Sequence, residues 1–224
     1  MLLHLSKTIF LMLILLSVIT AENKEIKKII SDYTEFDRKN NVVNFFGNVK
    51  IEYENGWITC DKAIYDQKNG KLNCQTNIFF VYTSTEDYIE VKSSVLEYDT
   101  NQKYLKFFEN VSALYKILKE EKNNIDFTNI NLTSEDFVVD MNKKYIIAQK
   151  NVVAVLQGNK ILCDLMEYNY GDNVLKINDN ITKNQLRLEF MEEKWKIKYC
   201  QANTAIVNIN DNKIVLKGKV EIVF

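Results

Sequence analysis

Apolar and polar residues alternate along most of the chain, and the alternation comes in six copies of one pattern. Each copy is aligned on an Asp or an Asn, and these residues are Asp37, Asp66, Asp99, Asp140, Asn169 and Asn208. Apolar residues stand one and eight positions before the aligning residue and six and eight positions after it in every copy. Apolar residues two apart, rich in β-branched and aromatic types, predict strands with one buried face. A repeat of this kind predicts stacked units that bury one another's faces.

Each copy is predicted to be a long hairpin that reverses at the aligning residue, because Asp and Asn side chains bond to their own backbone in turns. Ten positions later the alternation is interrupted, which predicts a β-bulge that bends each strand. The interrupting residues are Gly47, Thr76, Glu109, Lys150, Asp179 and Gly218. The chain is therefore expected to be all-β, built from about six stacked, twisted antiparallel hairpins.

The length of the unit varies at one place only, between the last apolar position of one copy and the first of the next. The two long insertions cover residues 114–131 and 184–199, and their role is left open. Residues 186–190 and 195–199 alternate strictly and predict an extra hairpin. Residues 114–122 fit either a helical turn or another strand.

The first 21 residues are typical of a secretory signal peptide. Lys7 precedes an uncharged run from Ile9 to Ile19, and Ala21 follows. A cationic start, an apolar stretch of 7–15 residues and a small residue are the parts of such a signal. Cleavage after Ala21 would place the bulky Ile19 three residues before the cut, so an uncleaved anchor is the alternative. Residues 22–224 are then expected to form one exported domain.

Composition argues against several function classes. The 224 residues carry a formal net charge of −1, which provides no strongly basic face for nucleic acid. The single His is His4, inside the predicted signal peptide. Without histidine the exported chain has no Ser-His-Asp or Cys-His catalysis and no His-ligated metal.

The cysteines and the repeated carboxylates are interpreted as structural. Cys60 and Cys163 share a column with Ser and Ala, and Cys74 and Cys200 stand in apolar columns. Such columns select size and burial, so we expect four buried free thiols, although export favours disulfides. A second column holds Asp61, Glu135 and Asp164, and a residue repeated once per hairpin indicates turn or strand structure. We therefore expect neither an enzyme nor a metal site or cofactor.

One repeat carries a family resemblance. The string Gly47-Asn48-Val49-Lys50-Ile51, followed by residues 57–66 (WITCDKAIYD), resembles the OstA-like repeat of the lipopolysaccharide-transport periplasmic proteins, the LptA type. The pattern recurs from Asn151 and from Gly218, and the resemblance covers about residues 29–224. It departs from the family in that Gly precedes the Asn column only at Gly47, with Gly218 in the last unit, and in its two long insertions.

The resemblance implies a β-jelly roll that holds lipid acyl chains in an apolar slot. It also implies a periplasmic protein, soluble or anchored in the inner membrane, that joins same-fold components of the inner and outer membranes through its sheet edges. The expected ligand is lipopolysaccharide or a related glycolipid, and a head-to-tail homo-oligomer is expected. The edge residues expected to associate are Ile29, Val220 and Ile222.

The residues expected to line the slot come from the apolar columns. They are Phe36, Phe45, Ile51, Ala63, Tyr65, Leu72, Phe80, Leu96, Tyr98, Leu105, Phe107, Ala113, Ile146, Ala148, Ala154, Tyr168 and Leu175. The same columns fit a filled core, and the pattern alone does not separate the two. The alternative function is a structural repeat protein of the cell envelope that polymerises through strand edges and binds no lipid.

Overall fold

The computed structural model describes residues 26–83, 87–117, 129–140, 142–156, 159–169, 172, 174–179, 186–189, 197–208 and 213–223. These residues form sixteen strands in one antiparallel sheet. The strands are β1 (Lys28–Ile30), β2 (Tyr33–Asp37), β3 (Val42–Tyr53), β4 (Gly56–Asp66), β5 (Lys71–Thr83), β6 (Asp87–Asp99), β7 (Tyr104–Ile117), β8 (Asn129–Asp140), β9 (Tyr145–Leu156), β10 (Asn159–Asn169), β11 (Val174–Asn178), β12 (Leu186–Glu189), β13 (Tyr199–Ala202), β14 (Thr204–Asn208), β15 (Lys213–Lys217) and β16 (Glu221–Val223). The expectation of an all-β fold is confirmed.

Strands β3 to β10 are 11 to 14 residues long and bend near their middle, where the predicted interruption falls. The pairing of β3 with β4 shifts between Phe46 and Val49, and equivalent shifts recur in each following pair up to β9 with β10. In four units two successive residues at the shift have positive φ; the pairs are Gly47–Asn48, Thr76–Asn77, Glu109–Asn110 and Lys150–Asn151. Four of the six predicted bulges are thus present, and they bend the strands. At the other two positions, Asp179 and Gly218, strands β11 and β15 have already ended and their pairing shows no shift.

The row of bulges divides the sheet into two parts. We call the part next to the Asp and Asn turns the turn half, and the part next to the variable connections the insertion half. At the start of the sheet β3 pairs with β1 in the insertion half and with β2 in the turn half. At the other end β10 pairs with β12 in the insertion half and with β11 in the turn half. The strand order runs from β1 to β15, so the sheet is open.

The turn half and the insertion half each contribute one face to a single hydrophobic core. Its members come from every long strand, and Phe80, Phe107 and Phe137 pack in a row with ring centroids 5.6 and 6.2 Å apart. Because side chains alternate across each strand, the periodic apolar columns all reach this face. The repeat therefore explains the core directly.

The structure bears differently on the predictions made for the two long insertions. Strand β7 continues to Ile117, so residues 114–117 are strand and not helix, while residues 118–128 lie outside the described residues. The predicted extra hairpin is present in its first arm, β12, but its partner is Tyr199–Ala202. The assignment of the second arm to residues 195–199 is wrong: Ile197 and Lys198 are not strand, and residues 190–196 are not described. The sixth unit's own Cys200 and Ala202 provide the buried partners of β12 instead.

The predicted signal peptide, residues 1–21, lies outside the described residues. Within the part of the chain that the structure describes, no helix is long and apolar enough to cross a membrane.

Candidate functional site: the inner face of the bent sheet

The inner face of the bent sheet holds most of the side chains expected to line a slot. Fourteen of the seventeen are buried: Ile51, Ala63, Leu72, Phe80, Leu96, Tyr98, Leu105, Phe107, Ala113, Ile146, Ala148, Ala154, Tyr168 and Leu175. Phe45 and Tyr65 are partly buried and pack against the same core. These residues come from strands β3 to β7 and β9 to β11, so the apolar surface crosses most of the long strands of the sheet.

Phe36 is the exception, and its expected place in the apolar core column is corrected here. Its side chain is 71% exposed, although the equivalent Tyr98 and Tyr168 are buried. Phe36 lies on β2, a five-residue strand that pairs only with β3 at the edge of the turn half. An edge strand lacks a neighbouring strand on one side. The position that is buried in the middle of the sheet is therefore exposed to solvent at Phe36.

Small residues on the inner face stand between larger ones. Ala148 on β9 is opposite Phe137 on β8 and Met166 on β10. Ala154, on the other side of the bulge, is opposite Leu132 and Ile161. Truncated side chains flanked by bulky ones are where an apolar surface can change shape at least cost, since little of their own volume must move.

A second set of small residues serves the bend itself. Ser31, Ser93 and Ser134 each donate a hydroxyl hydrogen bond to the carbonyl two residues later, at 3.1, 3.1 and 2.9 Å. A bulge leaves ladder groups unpaired, and a short polar side chain at this position satisfies one of them. The column of Ser, Cys and Ala six residues before the turn is therefore explained by the bulge.

The repeated carboxylates also belong to the bend. The Asn48 side-chain amide donates to Asp32 at 2.8 Å, Asn77 donates to Asp61 at 2.8 Å, and Asn151 donates to Glu135 at 2.7 Å. Each pair is sixteen residues apart and joins the bulge of one strand to the bulge of its neighbour. In the last unit Asn203 takes the acidic place and accepts from the Lys219 backbone N–H at 2.9 Å.

One carboxyl pair is electrostatically unusual. Asp164 is only 2% exposed, and it shares a side-chain hydrogen bond with Asp179, the residue that interrupts the fifth unit. Burial and the neighbouring Asp164 carboxyl raise the pKa of Asp179 to about 6. Two carboxyl groups in contact are stabilised when they share a proton, which favours the protonated form of Asp179.

Chemistry on the inner face is otherwise limited to apolar contact. Among the described residues, the buried polar or charged ones are Ser93, Ser134 and Asp164. All four cysteines are buried free thiols, as expected, and burial raises the pKa of Cys163 to about 12. In the part of the chain that the structure describes, no group of three or more His, Cys, Asp or Glu side chains has the spacing of a metal site. Among the described residues, the inner face is therefore mainly an apolar contact surface.

Comparison with known proteins gives a family for the first half of this sheet. Residues 28–130 match the family described as LptA/(LptD N-terminal domain) LPS transport protein. The resemblance seen in the repeats is thereby confirmed for the region from β1 to the start of β8, which is similar to the LptA-type family.

The other comparisons are more distant. The structure of LptH from Pseudomonas aeruginosa, described as the LptA homologous periplasmic component of the lipopolysaccharide transport device, aligns at 9% identity. The alignment covers 77% of this chain and 99% of that one, with a TM-score of 0.34. No curated protein matches the sequence significantly.

Proposed function

We propose that this protein is a periplasmic component of lipopolysaccharide transport that holds lipid acyl chains against the inner face of its bent sheet. The observation that carries the proposal is the family match over residues 28–130, which falls on strands that contribute about half of the apolar inner face. Lipopolysaccharide or a related glycolipid is the ligand, and same-fold components at the two membranes are the partners. The role is carriage without covalent chemistry.

The physical basis is the length of the apolar face. Burying an acyl chain stabilises a complex by about 0.8 kcal/mol per CH₂, so a face that spans many strands outweighs any single polar contact. The sheet is open and both halves contribute to one hydrophobic core, so the proposal requires that acyl chains enter between the two halves. The polar head of the lipid would stay in water.

The first test is whether lipid is bound at all. Native mass spectrometry of the exported protein, purified without detergent, is expected to show a population carrying a lipid mass that organic extraction removes. Protein that carries no lipid after purification, and takes up none when lipopolysaccharide is added, would contradict the proposal.

The second test places the chains on the inner face. Ala148→Trp adds bulk there, and Ile147→Trp adds the same bulk to the outer face one residue away. Ala148→Trp is expected to lower lipid occupancy with little change in melting temperature, whereas Ile147→Trp leaves occupancy unchanged. In a completely filled core, Ala148→Trp and Ala154→Trp would instead cost about 1–3 kcal/mol through overpacking. Loss of folded protein in both inner variants would rule out chains at this place.

We also propose that the chains associate head to tail through the sheet edges. Among the described residues, the large apolar side chains that are exposed lie at the two ends of the sheet; they are Ile30, Tyr33, Phe36, Val220 and Ile222. Ile29 on β1 is half-buried against the core, and β16 pairs with β13 alone. Unpaired strand edges with exposed apolar side chains favour pairing with another chain.

A complementation experiment tests this association. Val220→Pro damages one end of the sheet and Phe36→Asp the other, and each variant alone is expected to sediment as a monomer. A mixture of the two still has one intact end of each kind, so it should form dimers and nothing larger. Oligomers that persist in both single variants would place the contact elsewhere.

The exposed edges also favour a second candidate function, a cell-envelope polymer that binds no lipid. Both functions predict edge association, and only the first predicts lipid in the native mass spectrum. Polymerisation without lipid would therefore select the second.

A further inference from the structure

Two of the four thiols meet inside the bend of the first complete hairpin. Cys60 lies on β4 in the insertion half, where it is opposite Val49, and Cys74 lies on β5 in the turn half, opposite Ala63. Both are buried, at 4% and 0% exposure, and their thiols share a side-chain hydrogen bond. Sequence columns place each cysteine on the inner face; only the bend brings the two together.

The bulge explains this contact. The pairing of β4 with β5 shifts between Thr59 and Lys62, so Cys60 stands at the bulge. It occupies the position filled by Ser93 and Ser134 in later units, and its sulfur accepts from the backbone N–H groups of Lys62 and Gln75. These donors and the Cys74 thiol lower the pKa of Cys60, which favours the thiolate that thiol–disulfide exchange requires.

The other two cysteines provide an internal comparison. Cys163 is on β10 and Cys200 is on β13, and strand β12 pairs with both of those strands. A strand therefore lies between them, whereas Cys60 and Cys74 are on adjacent strands joined by one turn. Burial raises the pKa of Cys163 to about 12. The Cys60 contact and burial also raise the pKa of Cys74, so Cys60 is the attacking thiol of the pair.

We propose that Cys60 and Cys74 form a disulfide that links the insertion half of β4 to the turn half of β5. The oxidant is a disulfide of the glutathione or oxidoreductase class. The Cys60 thiolate attacks one oxidant sulfur, the oxidant S–S bond breaks, and one oxidant thiol leaves. The Cys74 thiol then attacks the Cys60 sulfur, and its proton passes to the second oxidant thiolate, which leaves as the thiol. Two electrons pass from the protein dithiol to the oxidant disulfide, and each leaving thiolate takes up a proton released by a cysteine.

The bond would act on the bend. Cys60 and Cys74 lie on opposite sides of the row of bulges, so a covalent link between them limits how far the two halves of this hairpin can separate. Because the two residues are on one hairpin with a short turn, exchange can occur before the sheet is fully assembled. This part of the inference rests on the proposed export for its oxidant, and the experiment below supplies the oxidant directly.

The test is a thiol count on the full exported chain, residues 22–224. The protein is refolded in equal concentrations of oxidised and reduced glutathione, denatured in an alkylating reagent and weighed by intact mass spectrometry. Two alkyl groups are expected, rising to four after reduction, and peptide mapping should join the peptides of Cys60 and Cys74. Four alkyl groups before reduction, or a bond that includes Cys163 or Cys200, would overturn the proposal.

Single variants separate this bond from nonspecific oxidation. Cys60→Ser keeps the short polar side chain that Ser93 and Ser134 provide at the same position, and it should take up three alkyl groups. Cys163→Ser should take up one and retain the bond. The melting temperature of the wild type is expected to fall on reduction by several degrees, and that of Cys60→Ser to stay constant. An equal fall in both proteins would show that no Cys60–Cys74 bond stabilises the fold. The thiol count is independent of lipid, so its outcome is distinguishable from that of the function proposed above.

Discussion

Single Asn residues have two roles at the bend, and this explains their recurrence eleven positions after the turn. Asn48, Asn77, Asn110 and Asn151 have φ between 45 and 58°, in the left-handed region that Gly and Asn adopt more readily than most other residues. In three of these units the side-chain amide also donates to a carboxylate on the neighbouring strand. Asn is the residue that tolerates this backbone and still provides a donor.

Variants of Asn151 should separate the two roles. Asn151→Ala loses the hydrogen bond to Glu135 and places at φ 54° a residue that tolerates the left-handed region less well than Asn, so it should lower the free energy of unfolding by about 2 kcal/mol. Asn151→Gly loses only the hydrogen bond and should cost about 1 kcal/mol or less. Urea denaturation measures both. Equal losses would show that backbone conformation does not contribute.

The Asp164–Asp179 pair should make stability depend on pH with an unusual sign. The pKa of Asp179 is about 6 in the folded protein against 3.8 ordinarily, so between these values the folded state holds a proton that the unfolded chain releases. The stability from this group is complete below about pH 4 and is lost as the pH rises through 6.

Asp179→Asn should therefore melt at a higher temperature than the wild type at pH 7, and the difference should disappear on acidification to pH 4. Comparison of variant with wild type at each pH cancels the contribution of the other carboxylates. A difference that stays constant with pH would show that the pair does not share a proton.

At the scale of strands and turns, neighbouring hairpins are joined at the turn end by hydrogen bonds that the sequence repeat sets up. Asp66 accepts from the Asn69 backbone and side chain within one turn. The next turn bonds to this one: the Thr100 hydroxyl donates to the Gly70 carbonyl at 2.8 Å, and the Asn101 side-chain amide donates to the Asn69 carbonyl at 2.8 Å. The turns thus stack as the strands do.

Gly70 is the tightest point of that stack. Its φ is +62°, and a Cβ added there would lie 2.5 Å from the Thr100 hydroxyl oxygen. Gly70→Ala should lower the free energy of unfolding by at least 1–2 kcal/mol, the cost of the left-handed backbone alone. Lys68→Ala, an exposed change in the same turn, should change it by less than about 0.5 kcal/mol. Chemical denaturation of the two variants measures the difference, and equal effects would contradict the stacking of turns.

At the scale of the whole molecule, one bent sheet provides both an inner face and two open ends. The long strands β3 to β10 cross the bend, whereas the terminal units split into short strands that belong to one half only. Apolar side chains on the long middle strands are therefore buried, whereas Phe36, on a short terminal strand, is exposed to solvent.

The secondary structure of residues 22–224 provides a test at this scale. Residues 22–224 are expected to show a far-ultraviolet circular dichroism spectrum dominated by β-structure. An ordinary globular domain has about 30–35% helix, and a helix content above about a quarter would contradict a sheet built from six bent hairpins.

Much of the fold was predictable because its determinants are local. The alternation of apolar residues decides which face of a strand is buried, the Asp or Asn decides where the chain reverses, and the interruption at residues such as Thr76 and Lys150 decides where it bends. Fourteen of the seventeen expected slot residues are buried for this reason. Whether their face accepts acyl chains stays a prediction, since a slot and a filled core have the same sequence pattern.

What the sequence by itself determined is therefore the six-fold repeat, the all-β class and the inner face of each strand. Only the tertiary structure decided which apolar residues are exposed at a sheet edge, such as Phe36. It decided that β12 pairs with Tyr199–Ala202. It also decided the contact of Cys60 with Cys74, whose positions in the repeat are unrelated. The physical reason is the sequence distance over which each feature is determined. The apolar period decides the buried face within one strand, whereas sheet edges and contacts across a bend depend on how all the strands are assembled.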